Sequence, residues 1–190
     1  MLFIGIDPGT ATTGWGVVKF HKSEEYKKEK IVNGRIVRTK KKNISLVDFG
    51  CILTDKDEEM PKRLLEIRRE LNKVLRKFKP DGMIVERLFF GVNSRTAMAV
   101  GQARGVIMLT AAENKVPFFE YTGLEVKLEV ANHGRSDKKD VQKAVRRLLG
   151  VTNIKKPRDQ KGRTVNRFRD DAYDAVAVAI CHLSKTKLLV

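Results

Sequence analysis

Apolar positions along the chain follow two rhythms. Leu2 to Ile6 is apolar throughout and ends on Asp7, the pattern of a strand buried on both faces, and after a Pro8-Gly9 turn the run Gly14 to Phe20 predicts a second strand. Leu46 to Thr54 predicts a third. Short connections would make these an antiparallel meander, but the second connection is extended by a polar stretch in which Ile31-Val32 and Ile36-Val37 flank Asn33-Gly34. Asn-Gly suits a type I′ turn, where both turn positions need positive φ, so a protruding β-hairpin is expected there.

From Pro61 the rhythm becomes helical. Leu64, Ile67, Leu71, Val74, Leu75 and Phe78 recur with charges between them, and Pro80-Asp81 ends the pattern. Met83 to Val85 is a short strand running directly into Glu86; a strand, a helix and a strand in one sheet connect right-handed, which places it parallel to the first strand. Ser94 to Glu113 predicts a long helix with small residues at Ala97, Gly101 and Gly105. Glycine costs roughly 1 kcal/mol in a helix, so close approach of the sheet or of a partner subunit is expected to offset it. Pro117 to Tyr121 reads as a strand, Thr122 with Glu125 has the capping-box pattern of a short helix to Val130, Ser136 is the expected cap of another ending at Gly150, and Asp170 to Leu183 is the last helix. This order predicts an α/β fold: a mixed five-stranded sheet, three strands antiparallel and then parallel strands, flanked by helices in one domain spanning 1–190.

Charge changes the picture from fold to partner. The formal net charge is +16, and most of the excess sits in two segments: ten Lys/Arg against three Glu from Lys19 to Lys42, and seven against one Asp from Ile154 to Arg169. These read as basic insertions, at about 21–44 and 152–169, that either grip a polyanion such as DNA or RNA or are merely solvated loops. No apolar run reaches the roughly 18 residues of a membrane span and no signal layout opens the chain, so a soluble, cytoplasmic protein without a membrane partner is expected. Cys51 and Cys181 have no zinc-ligand spacing and are expected to be small buried thiols.

Four carboxylates stand in unusual settings. Asp7 and Glu86 each end an apolar strand, "FIGID" and "MIVE", so parallel neighbouring strands would bring both to one end of the sheet, where α/β folds place their sites. Asp171 and Asp174 in "RDDAYDAVAVAICH" share a helix face, while Ala172, Ala175, Val176, Ala179, Ile180 and Leu183 form the face that docks on the sheet. Asp170 is the second choice to Asp171. If the four converge, two divalent cations would relieve their repulsion and clamp the attacking and leaving oxygens of phosphodiester hydrolysis, and an all-oxygen ligand set favours Mg²⁺ or Mn²⁺. The alternatives are plain: Asp7 before Pro-Gly starts a turn, and Asp171 with Asp174 complements a helix dipole.

Taken together, "GIDPGTATTGWGVV", "IVERLFFGVNSRTAMAVGQARGV", "FEYTGLEVK" and "DDAYDAVAVAICH" resemble the RuvC family of bacterial Holliday junction resolvases over nearly the whole chain. The resemblance implies a ribonuclease H-like fold and a homodimer that nicks two opposed strands of a four-way DNA junction symmetrically with two Mg²⁺ per subunit, Mn²⁺ substituting. It implies a branch-migration helicase complex as a further partner. It places the metal ligands on Asp7, Glu86, Asp171 and Asp174, basic catalytic residues on Lys127 and Lys138, and the aromatic that meets unpaired bases on Phe89, with Phe90 the alternative. Arg87, Asn93, Arg104, Arg135 and Lys139 are the neighbouring candidates for DNA contact. Read without the resemblance, the lysines are exposed helix charges and the phenylalanines core. Both basic insertions exceed the family pattern, so substrate preference is its least direct implication. Sugar kinases and actin share the opening strand-turn, but a second phosphate loop and a P-loop are both missing here. A hybrid-cleaving or transposase-like nuclease and a non-catalytic junction binder are the remaining competitors.

Overall fold

The computed structural model describes the backbone of residues 1–22, 27–32, 35–40, 43–87, 94–166 and 169–189, and the side chains of 1–22, 43–87, 97–166 and 170–189. Eight strands and five helices are described: β1 (Leu2–Asp7), β2 (Thr12–Phe20), β3 (Lys27–Val32), β4 (Arg35–Lys40), β5 (Ile44–Leu53), α1 (Met60–Phe78), β6 (Gly82–Arg87), α2 (Ser94–Glu113), β7 (Phe118–Thr122), α3 (Gly123–Ala131), α4 (Lys138–Leu149), β8 (Arg158–Asp159) and α5 (Arg169–Lys185). The main sheet runs β7-β6-β1-β2-β5-β8, and β3-β4 is a separate ribbon. β2 pairs antiparallel with β1 and β5; β6 is parallel to β1, β7 to β6 and β8 to β5.

Alternation along the strands sorts the core into two layers. Ile4, Ile6, Val17, Ile52, Met83 and Val85 face α1 and α2, meeting Ile67, Leu71, Leu75, Ala103 and Ile107. Phe3, Val18, Phe49, Cys51 and Ile84 face α3, α4 and α5, meeting Val126, Val130, Val145, Val176 and Ile180. Both cysteines are buried thiols, and burial pushes both up to about 12.

α5 lies almost on the sheet backbone. A Cβ on Gly5 would overlap the Ala175 carbonyl, and one on Gly14 the Asp171 carbonyl, so only glycine at these strand positions lets the helix sit this close.

The sheet has six strands where five were expected. The sixth, β8, comes from the second basic insertion, whose charged sequence carries no apolar alternation to announce a strand. Ser136 is not the helix cap: Asp137 is, with Asp140 completing the capping box, while Ser136 is buried. The capping box of Thr122 and Glu125 forms as expected. β3 and β4 pair with Val32 opposite Arg35, which fits a two-residue connection; the Asn33-Gly34 turn itself lies outside the described residues.

Candidate active site

β1 and β6 are adjacent and parallel, with Ile6 level with Val85, so Asp7 and Glu86, one residue on, leave the sheet at the same end. The first two turns of α5, seated by Gly14, carry Asp171 and Asp174 to that end. Asp7, Glu86 and Asp174 line one cleft of about 280 Å³ with Gly123, Val126 and Lys127 of α3 and Lys138 and Val141 of α4. Lys138 Nζ lies 3.9 Å from an Asp174 carboxylate oxygen. Asp171 does not line the cleft but is close enough to add to the field on Asp7.

Electrostatically this is an unneutralised acidic cluster. Burial raises the Asp7 carboxyl well above its ordinary value, and Glu86, Asp174 and Asp171 raise it further against Lys138. Burial and then Asp174 raise Glu86, with Lys127 and Lys138 opposing. Burial lifts Asp174 to about 6, against Lys138, with Asp170 and Asp171 adding to the rise. Asp171 is raised by burial, opposed by Lys138. Two lysines therefore answer four carboxylates, a donor set of hard oxygens that suits a small divalent cation. The oxygens are gathered around the cleft without forming a finished coordination shell: among the described residues no group of three or more His, Cys, Asp or Glu is already arranged around one ion position.

The family model described as crossover junction endodeoxyribonuclease RuvC matches residues 29–182. A crossover junction endodeoxyribonuclease RuvC of Syntrophomonas wolfei is 39% identical over 99% of this chain and 91% of its own length. The chain belongs to the RuvC family. Another RuvC, from Chloroflexus aurantiacus, is 40% identical over 96% of this chain and 92% of its own. The structure of Thermus thermophilus RuvC in complex with a Holliday junction substrate superposes with a TM-score of 0.77 at 27% identity, covering 99% of this chain and 96% of that one. The fold is thus ribonuclease H-like.

Among the other residues expected at a RuvC site, Arg87 is exposed with Nη2 4.0 Å from Glu125. Arg104 is not in the cleft; its Nε and Nη2 bond both Glu120 oxygens at 2.6 and 2.7 Å. Arg135 lines a separate groove of about 540 Å³ with His133, Lys143 and Arg147, and Lys139 is exposed on the first turn of α4. Phe89, Phe90 and Asn93 lie outside the described residues. Asp170, the second choice, is engaged elsewhere, accepting from Gln142 Nε2 at 2.7 Å and so tying α5 to α4. That tether leaves no trace in the sequence; the glycine seat was missed as well, the docking having been assigned to the alanines of the helix, although Gly14 and Gly16 alternating within an apolar strand are a signal of close backbone approach.

Proposed function

We propose that this chain is an Mg²⁺-dependent endonuclease that resolves four-way DNA junctions by paired nicks, leaving 5′-phosphate and 3′-hydroxyl ends. The observation that carries this reading is the convergence of Asp7, Glu86 and Asp174 on one cleft beside Lys127 and Lys138. Asp7, Glu86, Asp171 and Asp174 would hold two Mg²⁺, which when bound supply Lewis acidity to the attacking water and the departing oxygen. The chain's own contribution is placement. The strand ends fix two ligands rigidly, the glycine-seated helix brings the other two, and the raised carboxyls give up protons as cations bind. Lys127 and Lys138 face the same cleft, where their charges stabilise the phosphate oxygens of the substrate strand.

Symmetric nicking requires two such sites related by a two-fold axis, hence a homodimer. The outer face of α2 supports this: Met98 and Leu109 are 72% and 54% exposed, and a Cβ at Gly101 or Gly105 would meet nothing within 4 Å. Ala103, Ile107 and Ala111 already bury the inner face, so the sheet does not account for the glycines. The family resemblance adds a branch-migration helicase complex as partner. No described helix is long and apolar enough to cross a membrane.

The test is a labelled four-way junction, with flap, RNA:DNA hybrid and linear duplex beside it, each with Mg²⁺. The parent is expected to cut the junction preferentially, and Asp7→Asn to bind it within a few-fold while cutting at least about a hundredfold more slowly. Full cleavage by that variant would remove Asp7 from the mechanism.

A further inference from the structure

Residues 157–165 form a closed turn. Val165 N–H donates to the Pro157 carbonyl and Asp159 N–H to the Arg163 carbonyl, both at 2.9 Å, and Gly162 turns the chain at φ +78°. Inside it the Asp159 carboxylate, 2% exposed, accepts from the backbone N–H of Lys161 and Arg163 at 2.9 and 2.8 Å and from Arg163 Nε at 2.7 Å.

The turn is also clipped to the sheet. Gln160 Oε1 accepts from Leu53 N–H at 3.0 Å and its Nε2 donates to the Leu53 carbonyl at 2.6 Å, as a neighbouring strand would, and Nε2 also reaches Glu66 at 3.1 Å. Arg158 and Asp159 pair with Gly50 and Cys51 of β5, where a Cβ on Gly50 would crowd the Arg158 carbonyl. Val165 is buried in the core beneath α5. A segment that reads as a loose basic loop is therefore fixed at several points.

Its outer side presents Arg158, Lys161 and Thr164, preceded by Lys155 and Lys156, all exposed. None of these four cations is ion-paired among the described residues. The turn's apolar residues, Pro157 and Val165, are buried, so it lacks the exposed aromatic or aliphatic side chain on which protein interfaces centre.

Register fixes where the turn lies relative to the carboxylates. Asp7 is level with Gly14, Gly14 with Cys51, and Cys51 with Asp159. Three strand spacings of about 4.8 Å put the start of the turn about 14 Å from Asp7, roughly four base steps of about 3.4 Å along a duplex. Lys127 and Lys138 line the cleft together with the carboxylates.

We propose that the 157–165 turn is a preformed phosphate-binding edge that holds one duplex arm of the junction about four base steps from the cut, through Arg158, Lys161 and the preceding lysine pair. This rests on the junction-cleaving reading. The test measures binding to a synthetic four-way junction without divalent cations, so it is independent of nicking and of the Asp7→Asn result. Arg158→Ser with Lys161→Ser should lower the slope of log affinity against log salt by about 1 to 2, since each lost phosphate contact removes about 0.9. Gln160→Ala keeps every charge and should still weaken binding severalfold, because the clip to Leu53 and Glu66 that positions the turn is lost although its other attachments remain. A parental slope in the double variant overturns the proposal and leaves an acidic protein as the partner for this surface. Parental affinity in Gln160→Ala overturns it as well, since the clip would then contribute nothing.

Discussion

Asp174 shows how far a single side chain is held from its ordinary state. Burial and neighbouring aspartates raise its carboxyl to about 6, although Lys138 stands 3.9 Å away. A carboxyl raised on folding binds its proton more tightly in the folded chain. Its ionisation therefore opposes folding above about pH 6, and that penalty vanishes below the unfolded value near 4. Asp174→Asn removes the penalty. In EDTA at pH 7.5 the variant should be more stable than the parent by roughly 1 to 3 kcal/mol, at about 1.4 kcal/mol per pK unit. The gap should close as pH falls from 6 towards 4. Urea unfolding at several pH values checks this, and a gap that ignores pH would show that the cluster is not charged in the folded chain. Comparing variant with parent cancels His182, whose value burial lowers and whose own contribution, full above the unfolded histidine value, is lost as pH falls from there through the lower folded value. Mg²⁺ should reverse the ranking, because the parent gains more from binding it.

The seating of α5 joins the fold to the site. Gly14→Ala sets a methyl against the Asp171 carbonyl, and Gly5→Ala does the same at Ala175, one turn further along. The helix must shift in either case, at a cost of about 1 to 3 kcal/mol for overpacking. Only Gly14→Ala displaces the turn that bears Asp171 directly, so Mn²⁺ affinity by calorimetry should fall more for it than for Gly5→Ala at similar loss of stability. Equal effects would make the seat purely structural. The seat also marks what the sequence discloses. Asp7, Glu86 and the α5 aspartates stood out because each follows or interrupts an apolar pattern, and β1, β2, β6 and α1 were legible because their periodicity is set by burial on both layers. β8 was not, since two residues of backbone pairing between charged side chains leave no hydrophobic trace. Asp137 rather than Ser136 is the cap because its side chain and that of Asp140 bond each other's backbone N–H, while both residue types suit the position in sequence. The Gln142 and Gln160 bonds depend on tertiary placement alone.

For the molecule as a whole the open question is what covers α2, and glycine supplies a test whose sign decides. On a helix face left to water, Gly101→Ala and Gly105→Ala should each stabilise the chain by about 0.5 to 1 kcal/mol, because alanine loses less backbone entropy on folding. On a face where a second copy approaches closely, the added methyls hold the two helices apart and weaken association. The exposed apolar pair Met98 and Leu109 flanking the glycines favours the second case. Sedimentation of the double alanine variant at micromolar concentration should therefore show more monomer than the parent, even as the monomer itself becomes harder to unfold. On a junction the same variant should release more singly nicked product and fewer paired cuts, because each strand would be cleaved in a separate encounter. A variant that stays dimeric and cuts in pairs would move the two-fold axis to another face. The acidic cleft would be unaffected by that outcome, since Asp7, Glu86 and Asp174 are all supplied by one chain.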